Sequence, residues 1–124
     1  MTRNKNKIMK IKIEEDLYFF ILHHDAEPRG IPFEEACIQT IYHWLGLDPK
    51  QHGYVKCDDF VTYPSVTLML EITEALRHVL HDQYEGYTLQ QVADYILYRQ
   101  YNPADYFYPF AVLDMIPDDD EALL

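Results

Sequence analysis

The sequence predicts an α+β, mostly helical fold: an N-terminal strand, about four helices and, as a further candidate, a short extra strand pair. Lysines alternate with apolar residues over residues 7–13, which is the period of a strand. Farther along the chain, apolar residues recur at spacings of three and four, the period of a helix. The 124 residues are 48% apolar, so we expect one domain with a real core, alone or with a short appendage.

The first strand is predicted over residues 7–13, with the sequence KIMKIKI. Because successive side chains of a strand point to opposite faces, the strand separates into a core face and an exposed face. The core face would hold Met9, Ile11 and Ile13. The exposed face would hold Ile8, Lys10 and Lys12.

Two helices are expected next. The first would span residues 14–26, because three acidic residues stand in its first turn and Pro28 and Gly30 follow its end. The second would span residues 32–45, with a proline at its first position and two glutamates behind it. Both would bury one apolar stripe.

The second half of the chain is expected to be mainly helical as well. Residues 54–63 form a candidate extended segment, and a third helix is predicted over residues 65–83. A fourth helix is predicted over residues 89–101. Thr88 and Gln91 stand three residues apart at its start, which is the spacing of a capping box.

Turns and composition divide the chain into four segments. We expect a basic arm at 1–6, a strand-helix-helix unit at 7–46, a helical, tyrosine-rich acidic interaction module at 54–117 and an acidic tail at 118–124.

Charge is distributed unevenly between these segments. The whole chain carries a net charge of −11, yet residues 1–12 hold five of its ten basic residues. Residues 13–124 hold the other five and all 21 acidic residues, a net −16. A basic arm on an acidic body indicates two surfaces with different partners; the alternative is a solubilising lysine tail.

The order strand, helix, glycine-containing turn and helix within residues 7–45 resembles the ribbon-helix-helix family. The phrases MKIKIEEDLY and RGIPFEEACIQTIYHWL carry the resemblance. It implies a homodimer whose paired strands enter the major groove of DNA, with outward strand side chains contacting bases. The nucleic-acid-binding residues expected on this basis are Arg3, Lys5, Lys7, Lys10 and Lys12.

Tyrosines are concentrated toward the C-terminus: residues 84–110 hold nine of the chain's 18 aromatic residues. Tyrosines beside carboxylates suit a basic protein partner, through hydrogen bonds, ion pairs and cation–π contacts. The alternative is that some of the rings close the core. The candidate partner-binding residues are Asp94, Tyr95, Tyr98, Tyr101, Asp105, Tyr106 and Tyr108.

Two functions stay open. The first is a non-enzymatic regulator, a ribbon-helix-helix-like homodimer that binds DNA and uses its acidic C-terminal part to bind a protein. The alternative is an acidic protein inhibitor of the phage anti-defence, anti-CRISPR or immunity type. Such an inhibitor would block a basic nucleic-acid-binding surface of a partner enzyme.

Signals for catalysis are sparse, and we expect neither an enzyme nor a cofactor. Ser65 is the single serine and lacks glycines around it, and four scattered glycines cannot build a phosphate-binding loop. Glu74, His78 and His81 are the candidate metal ligands, because helical spacing would bring them together. The competing interpretation is a solvated helix face.

No apolar run approaches the length of about 18 residues that a membrane span requires, and the start of the chain is too polar for a secretory signal. We therefore expect a cytoplasmic protein with no membrane association.

Overall fold

The computed structural model describes residues 6–58 and 65–101, without the side chain of Ser65. The elements in chain order are β1 (Lys7–Glu14), α1 (Glu15–Ile21), a π-helical segment (Leu22–Ala26), α2 (Glu27–Arg29), α3 (Phe33–Trp44), a 3-10 turn (Pro49–Gln51), β2 (Val55–Cys57), β3 (Ser65–Ile72), α4 (Glu74–Gln83) and α5 (Leu89–Tyr101). The predicted α+β, mostly helical fold class is thereby confirmed.

The three strands form one antiparallel sheet in the order β1-β3-β2. β1 pairs with β3 along its whole length, with Lys7 opposite Ile72. β2 pairs with the other side of β3, with Lys56 opposite Met69. The central strand of the sheet is therefore β3, the last of the three described strands in chain order.

The sequence-based prediction of a helix over 65–83 is wrong in its first half, where β3 stands. The apolar residues of this stretch fit both the helical period and the two-residue period of a strand. The buried ones follow the strand period; they are Val66, Leu68, Leu70 and Ile72. A helix begins only after Thr73, whose hydroxyl oxygen accepts a hydrogen bond from the amide of Leu76 at 3.3 Å. Pairing with β1 satisfies the backbone of β3 and decides between the two periods.

The predicted division of β1 into two faces is confirmed. Ile11 and Ile13 are 1% and 0% exposed, and Met9 packs against the core. Lys10 and Lys12 point to solvent. The alternation of lysine and isoleucine therefore sets which side of the sheet the helices cover.

The first helical run is longer than predicted. It passes from α1 through the π-helical segment into α2 and ends at Gly30, whose φ of 68° is left-handed. Pro28 does not stop the helix at residue 26, because it comes just after the π-helical segment and the run continues past it to Arg29. Glycine adopts the left-handed conformation without steric cost, which explains why the helical run ends at Gly30.

The second and fourth predicted helices are confirmed as α3 and α5. The capping box at the start of α5 is formed in both directions. The Gln91 amide donates to the Thr88 hydroxyl oxygen at 3.0 Å, and the Thr88 amide donates to Gln91 Oε1 at 2.9 Å.

Residues from both halves of the chain build the same core. β1 and β3 share the sheet, and α5 contacts both α3 and β1. Fully buried members of this core include Leu17, Ile38, Leu68, Leu76 and Leu97. The described parts of the predicted segments 7–46 and 54–117 thus meet in one sheet and one core. Residues 1–5, 59–64 and 102–124 lie outside the described residues.

Candidate functional site

The face of the sheet opposite the core carries cationic side chains on its two outer strands, β1 and β2. In its central row, Lys10 of β1 and Lys56 of β2 both lie opposite Met69 of β3. The two lysines are exposed and Met69 is half-buried. Lys12 extends the patch along β1. We call this surface the lysine face and define it by Ile8, Lys10, Lys12, Tyr54, Lys56 and Met69.

Two apolar side chains border the central row on the same face. Ile8 lies opposite Glu71, and the Glu71 amide donates to the Tyr54 carbonyl oxygen at 2.8 Å, which places Tyr54 on the other side of Glu71. Ile8 is 48% exposed and Tyr54 is 51% exposed. These are two of the four large apolar side chains that are exposed in the described part of the chain. The lysine face is thus apolar at one end.

Glu71 stands between these two side chains, and its carboxylate oxygens are engaged locally. Oε1 accepts the Tyr54 amide hydrogen at 2.9 Å, and Oε2 accepts a hydrogen bond from Asn6 Nδ2 at 2.6 Å. The bond from the Tyr54 backbone is the main cause that lowers the pKa of Glu71, and the bond from Asn6 adds to it. The carboxylate is therefore ionised and directed at the protein itself.

Gly53 allows this arrangement. A Cβ atom at this position would lie 2.5 Å from Glu71 Oε1 and 3.0 Å from Thr73 Cγ2. Any larger residue would displace the carboxylate that holds the Tyr54 amide. With glycine at this position, Glu71 holds the backbone of Tyr54 twice, through its own amide and through its carboxylate.

The other end of the lysine face is acidic. Lys12 lies opposite Thr67, and the Asp58 amide donates to the Thr67 carbonyl oxygen at 2.9 Å. Within the described ranges, the ammonium groups of Lys10, Lys12 and Lys56 make no salt bridge. Among the described residues, this face therefore combines three cations without ion pairs and two acidic residues at its ends, Glu71 and Asp58.

The structure brings together two of the five predicted nucleic-acid-binding residues, Lys10 and Lys12. Lys7 is exposed, but its position in β1 belongs to the other parity. Arg3 and Lys5 lie outside the described residues. Sequence reasoning missed Lys56, although the alternation in YVKC, with Val55 and Cys57 packed on the core, contained the signal.

Among the predicted partner-binding residues, Tyr98 belongs to the core. It is 5% exposed, and its hydroxyl donates to Glu14 Oε1 at 2.6 Å. Tyr101 is half-buried, and its hydroxyl donates to Asp25 Oδ2 at 2.5 Å and lies 2.7 Å from Thr40 Oγ1. These two rings tie α5 to the N-terminal half of the chain.

Tyr95 and Asp94 lie elsewhere on α5. The Tyr95 ring meets Trp44 edge to face, and the guanidinium carbon of Arg99 lies 5.3 Å from its centroid. Asp94 is half-buried and accepts a hydrogen bond from Gln90 Nε2 at 3.0 Å. Burial raises the pKa of Asp94 to about 7, with a further contribution from Glu14. The remaining candidates, Asp105, Tyr106 and Tyr108, lie outside the described residues.

The candidate metal ligands Glu74, His78 and His81 are exposed on α4. His78 and His81 line a shallow hollow together with Arg77. In the stretches 6–58 and 65–101, no three His, Cys, Asp or Glu side chains are grouped so that they could hold a metal ion. In the same stretches, no helix combines the length and the apolar character that crossing a membrane requires.

Comparison with known proteins returns no match: no family model, no curated protein and no solved structure is significantly similar to this chain.

Proposed function

We propose that this protein is a non-enzymatic binding protein that contacts nucleic acid with its lysine face. The observation that carries the proposal is the row formed by Lys10, Met69 and Lys56, with Lys12 beside it. A row of exposed cations on an acidic protein is best explained by an anionic partner that this one surface meets.

The spacing of the lysines suits a phosphate backbone. Lys10 and Lys12 are two residues apart on one strand, about 7 Å, and two strand spacings of about 4.8 Å separate Lys10 from Lys56. Each side chain is long and mobile, so the three ammonium groups can meet successive phosphates. Lysine also binds phosphate as a point charge and requires no exact geometry.

The acidic remainder of the protein restricts this binding to the lysine face. Electrostatic repulsion between its carboxylates and phosphate acts within the Debye length, about 8 Å at physiological salt. We therefore expect binding that weakens steeply as salt rises. Three phosphate contacts correspond to a slope of about −2 to −3 in a plot of log K against log salt concentration.

The ribbon-helix-helix homodimer remains a prediction. β1 already has an antiparallel partner, β3, within the same chain, so a two-stranded surface with outward lysines forms without a second copy. Light scattering at two protein concentrations, with and without DNA, tests whether binding requires a dimer. Binding by a monomer would leave the lysine face as the binding surface and contradict the ribbon-helix-helix homodimer.

The test measures fluorescence anisotropy with random-sequence oligonucleotides over a range of salt concentrations. The double variant Lys10→Ala/Lys56→Ala is compared with Lys50→Ala/Arg77→Ala, which removes the same charge from exposed positions outside the lysine face. We expect the first variant to lose affinity and to lower the salt slope by about 2, and the second to behave like the wild type.

Two results would contradict the proposal. One is the absence of binding by the wild-type protein at low salt, to single-stranded and duplex pools alike. The other is an equal loss in both double variants, which would show that only net charge matters. Retention of a basic enzyme from the native cell after nuclease treatment would then favour the alternative function, an acidic inhibitor.

A further inference from the structure

We infer that the lysine face takes single-stranded nucleic acid and that Tyr54 stacks on one of its bases. This inference rests on the proposed function and names the class of ligand. It follows from three features: an exposed ring, an anchored backbone beneath it, and cations along the adjacent row.

The Tyr54 ring is available for stacking. It is the most exposed large apolar side chain among the described residues, at 51%. Its backbone is bonded to Glu71 on both sides, through its carbonyl oxygen and its amide hydrogen. A ring on an anchored backbone loses little conformational entropy when a base packs on it, which favours binding.

Phosphates of a strand stacked on Tyr54 would meet the lysines. Lys56 is two residues away on the same face, and Lys10 stands across Met69 in the same row as Lys56. Ile8, at the far end of the Tyr54 row, offers a second apolar contact. The carboxylate between them, Glu71, accepts hydrogen bonds from the Tyr54 amide and from Asn6, which partly offset its negative charge toward an incoming phosphate.

A duplex cannot use the Tyr54 ring and the lysines together. Its bases are stacked on one another, and a protein ring reaches a base face only when the strand is unpaired. A basic sheet surface with an exposed aromatic ring therefore gains contacts from a single strand that a duplex cannot supply. Single-stranded DNA and RNA share this chemistry, so both are included in the test.

The test measures binding of the full chain to single strands of about 12 nucleotides, DNA and RNA, and to the corresponding DNA duplex. Stacking contributes about 1–3 kcal/mol per base, so Tyr54→Ala should lower the affinity for single strands about 5- to 150-fold. Tyr54→Phe keeps the ring and should bind like the wild type. Phe19→Ala removes another exposed ring, on α1, and should also change nothing.

An abasic strand separates stacking from a general effect on the surface. We expect the wild-type protein to bind the intact strand more tightly than the strand lacking bases, and Tyr54→Ala to bind the two nearly equally. Thermal unfolding of each variant checks that the fold is kept; because Tyr54 is 51% exposed, we expect its replacement to leave the fold intact.

The outcomes distinguish this inference from the proposed function. Equal affinity for duplex and single strand, unchanged in Tyr54→Ala but lost in Lys10→Ala/Lys56→Ala, would overturn the inference and leave the proposed function standing. Loss of affinity in Tyr54→Ala without any effect of the lysine substitutions would contradict the proposed function. No binding by the wild-type protein would overturn both.

Discussion

The side-chain amide of Gln90 in α5 pairs with the backbone of Lys12 in β1. The Lys12 amide donates to Gln90 Oε1 at 2.7 Å, and Gln90 Nε2 donates to the Lys12 carbonyl oxygen at 2.8 Å. Because β1 is an edge strand, these two backbone groups point away from the sheet and would otherwise face solvent or a second strand. Gln90 thus closes the edge at Lys12 and fixes α5 to the strand that carries the lysine face.

Replacing Gln90 with alanine should therefore destabilise the protein. Two hydrogen bonds to the backbone and the one to Asp94 are lost, each with a net contribution of about 0.5–1.5 kcal/mol, so we expect a loss of about 1.5–4.5 kcal/mol in the free energy of unfolding. Urea denaturation measures this loss. Hydrogen exchange at the Lys12 amide should also become faster.

The control for this experiment is Gln100→Ala, at an exposed position of the same helix. It should change stability by no more than about 0.5 kcal/mol. Slow exchange at Lys12 in Gln90→Ala would show that the edge is protected by something other than the glutamine.

Asp94 should make stability depend on pH. Its pKa is raised from 3.8 to about 7, chiefly by burial, so the folded protein binds a proton that the unfolded chain has already released. The free energy of unfolding should therefore fall as pH rises from about 4 to about 7 and stay lowered above that range. The free energy of unfolding should drop by a few kcal/mol over this range, since a tenfold change in a proton equilibrium corresponds to about 1.4 kcal/mol.

Asp94→Asn should remove this dependence and retain the acceptor for Gln90. We expect the variant to be more stable than the wild type at pH 8 and similar to it near pH 4.5. Asp82→Asn, at an exposed position of α4, serves as the matched control and should show no such crossover. A stability difference that is the same at every pH would argue against a buried carboxyl group.

A second pH dependence should arise from His52 and Glu35. His52 Nε2 lies 2.9 Å from Glu35 Oε2, and Nδ1 lies 2.7 Å from the Gly53 carbonyl oxygen, so the imidazolium can donate from both nitrogens. Burial lowers the pKa of His52, but these two hydrogen bonds outweigh it and the net pKa is raised. The bond from His52 is the main cause that lowers the pKa of Glu35.

The directions of the two pKa shifts define the pH window in which this pair stabilises the fold. The raised pKa of His52 stabilises the fold below the ordinary value of 6.5, and this stability is lost as pH rises through the folded pKa. The lowered pKa of Glu35 stabilises the fold above 4.5, and this stability is lost as pH falls through the folded pKa. The pair should therefore contribute most between these two values, on the order of 1 kcal/mol because both groups are partly exposed.

Thermal unfolding of Glu35→Gln across pH 4 to 9 measures this contribution. The difference from the wild type should be largest inside the window and should shrink at pH 9. His43→Asn, which changes an exposed histidine of the same helix α3, is the control and should leave the profile intact. A difference that persists undiminished at pH 9 would show that protonation of His52 is not involved.

The capping box of α5 should be worth a measurable part of the stability. Thr88 and Gln91 are both buried, at 5% and 8% exposed, so each amide that loses its partner stays away from water. Thr88→Ala should cost about 0.5–2 kcal/mol, measured by urea denaturation. Thr88→Ser keeps the oxygen and should recover most of the loss; an equal cost for both variants would assign the effect to the lost methyl group.

Local patterns were enough to predict several parts of the fold. The two faces of β1, the helices α3 and α5, and the capping box at Thr88 and Gln91 all follow from residues close together in the sequence. For the candidate site, alternation alone identified Lys10 and Lys12 as outward side chains. The surroundings of these lysines could not be predicted in the same way.

The amino-acid sequence by itself thus determined the fold class and the orientation of β1, because alternation and caps act over a few residues. Only the tertiary structure decided that residues 65–72 form the central strand, since their apolar residues suit a helix and a strand alike. The same pairing brings Lys56 next to Lys10 and places Gln90 on the edge at Lys12. Backbone hydrogen bonds between distant segments make these choices, and no local period encodes which segments will pair.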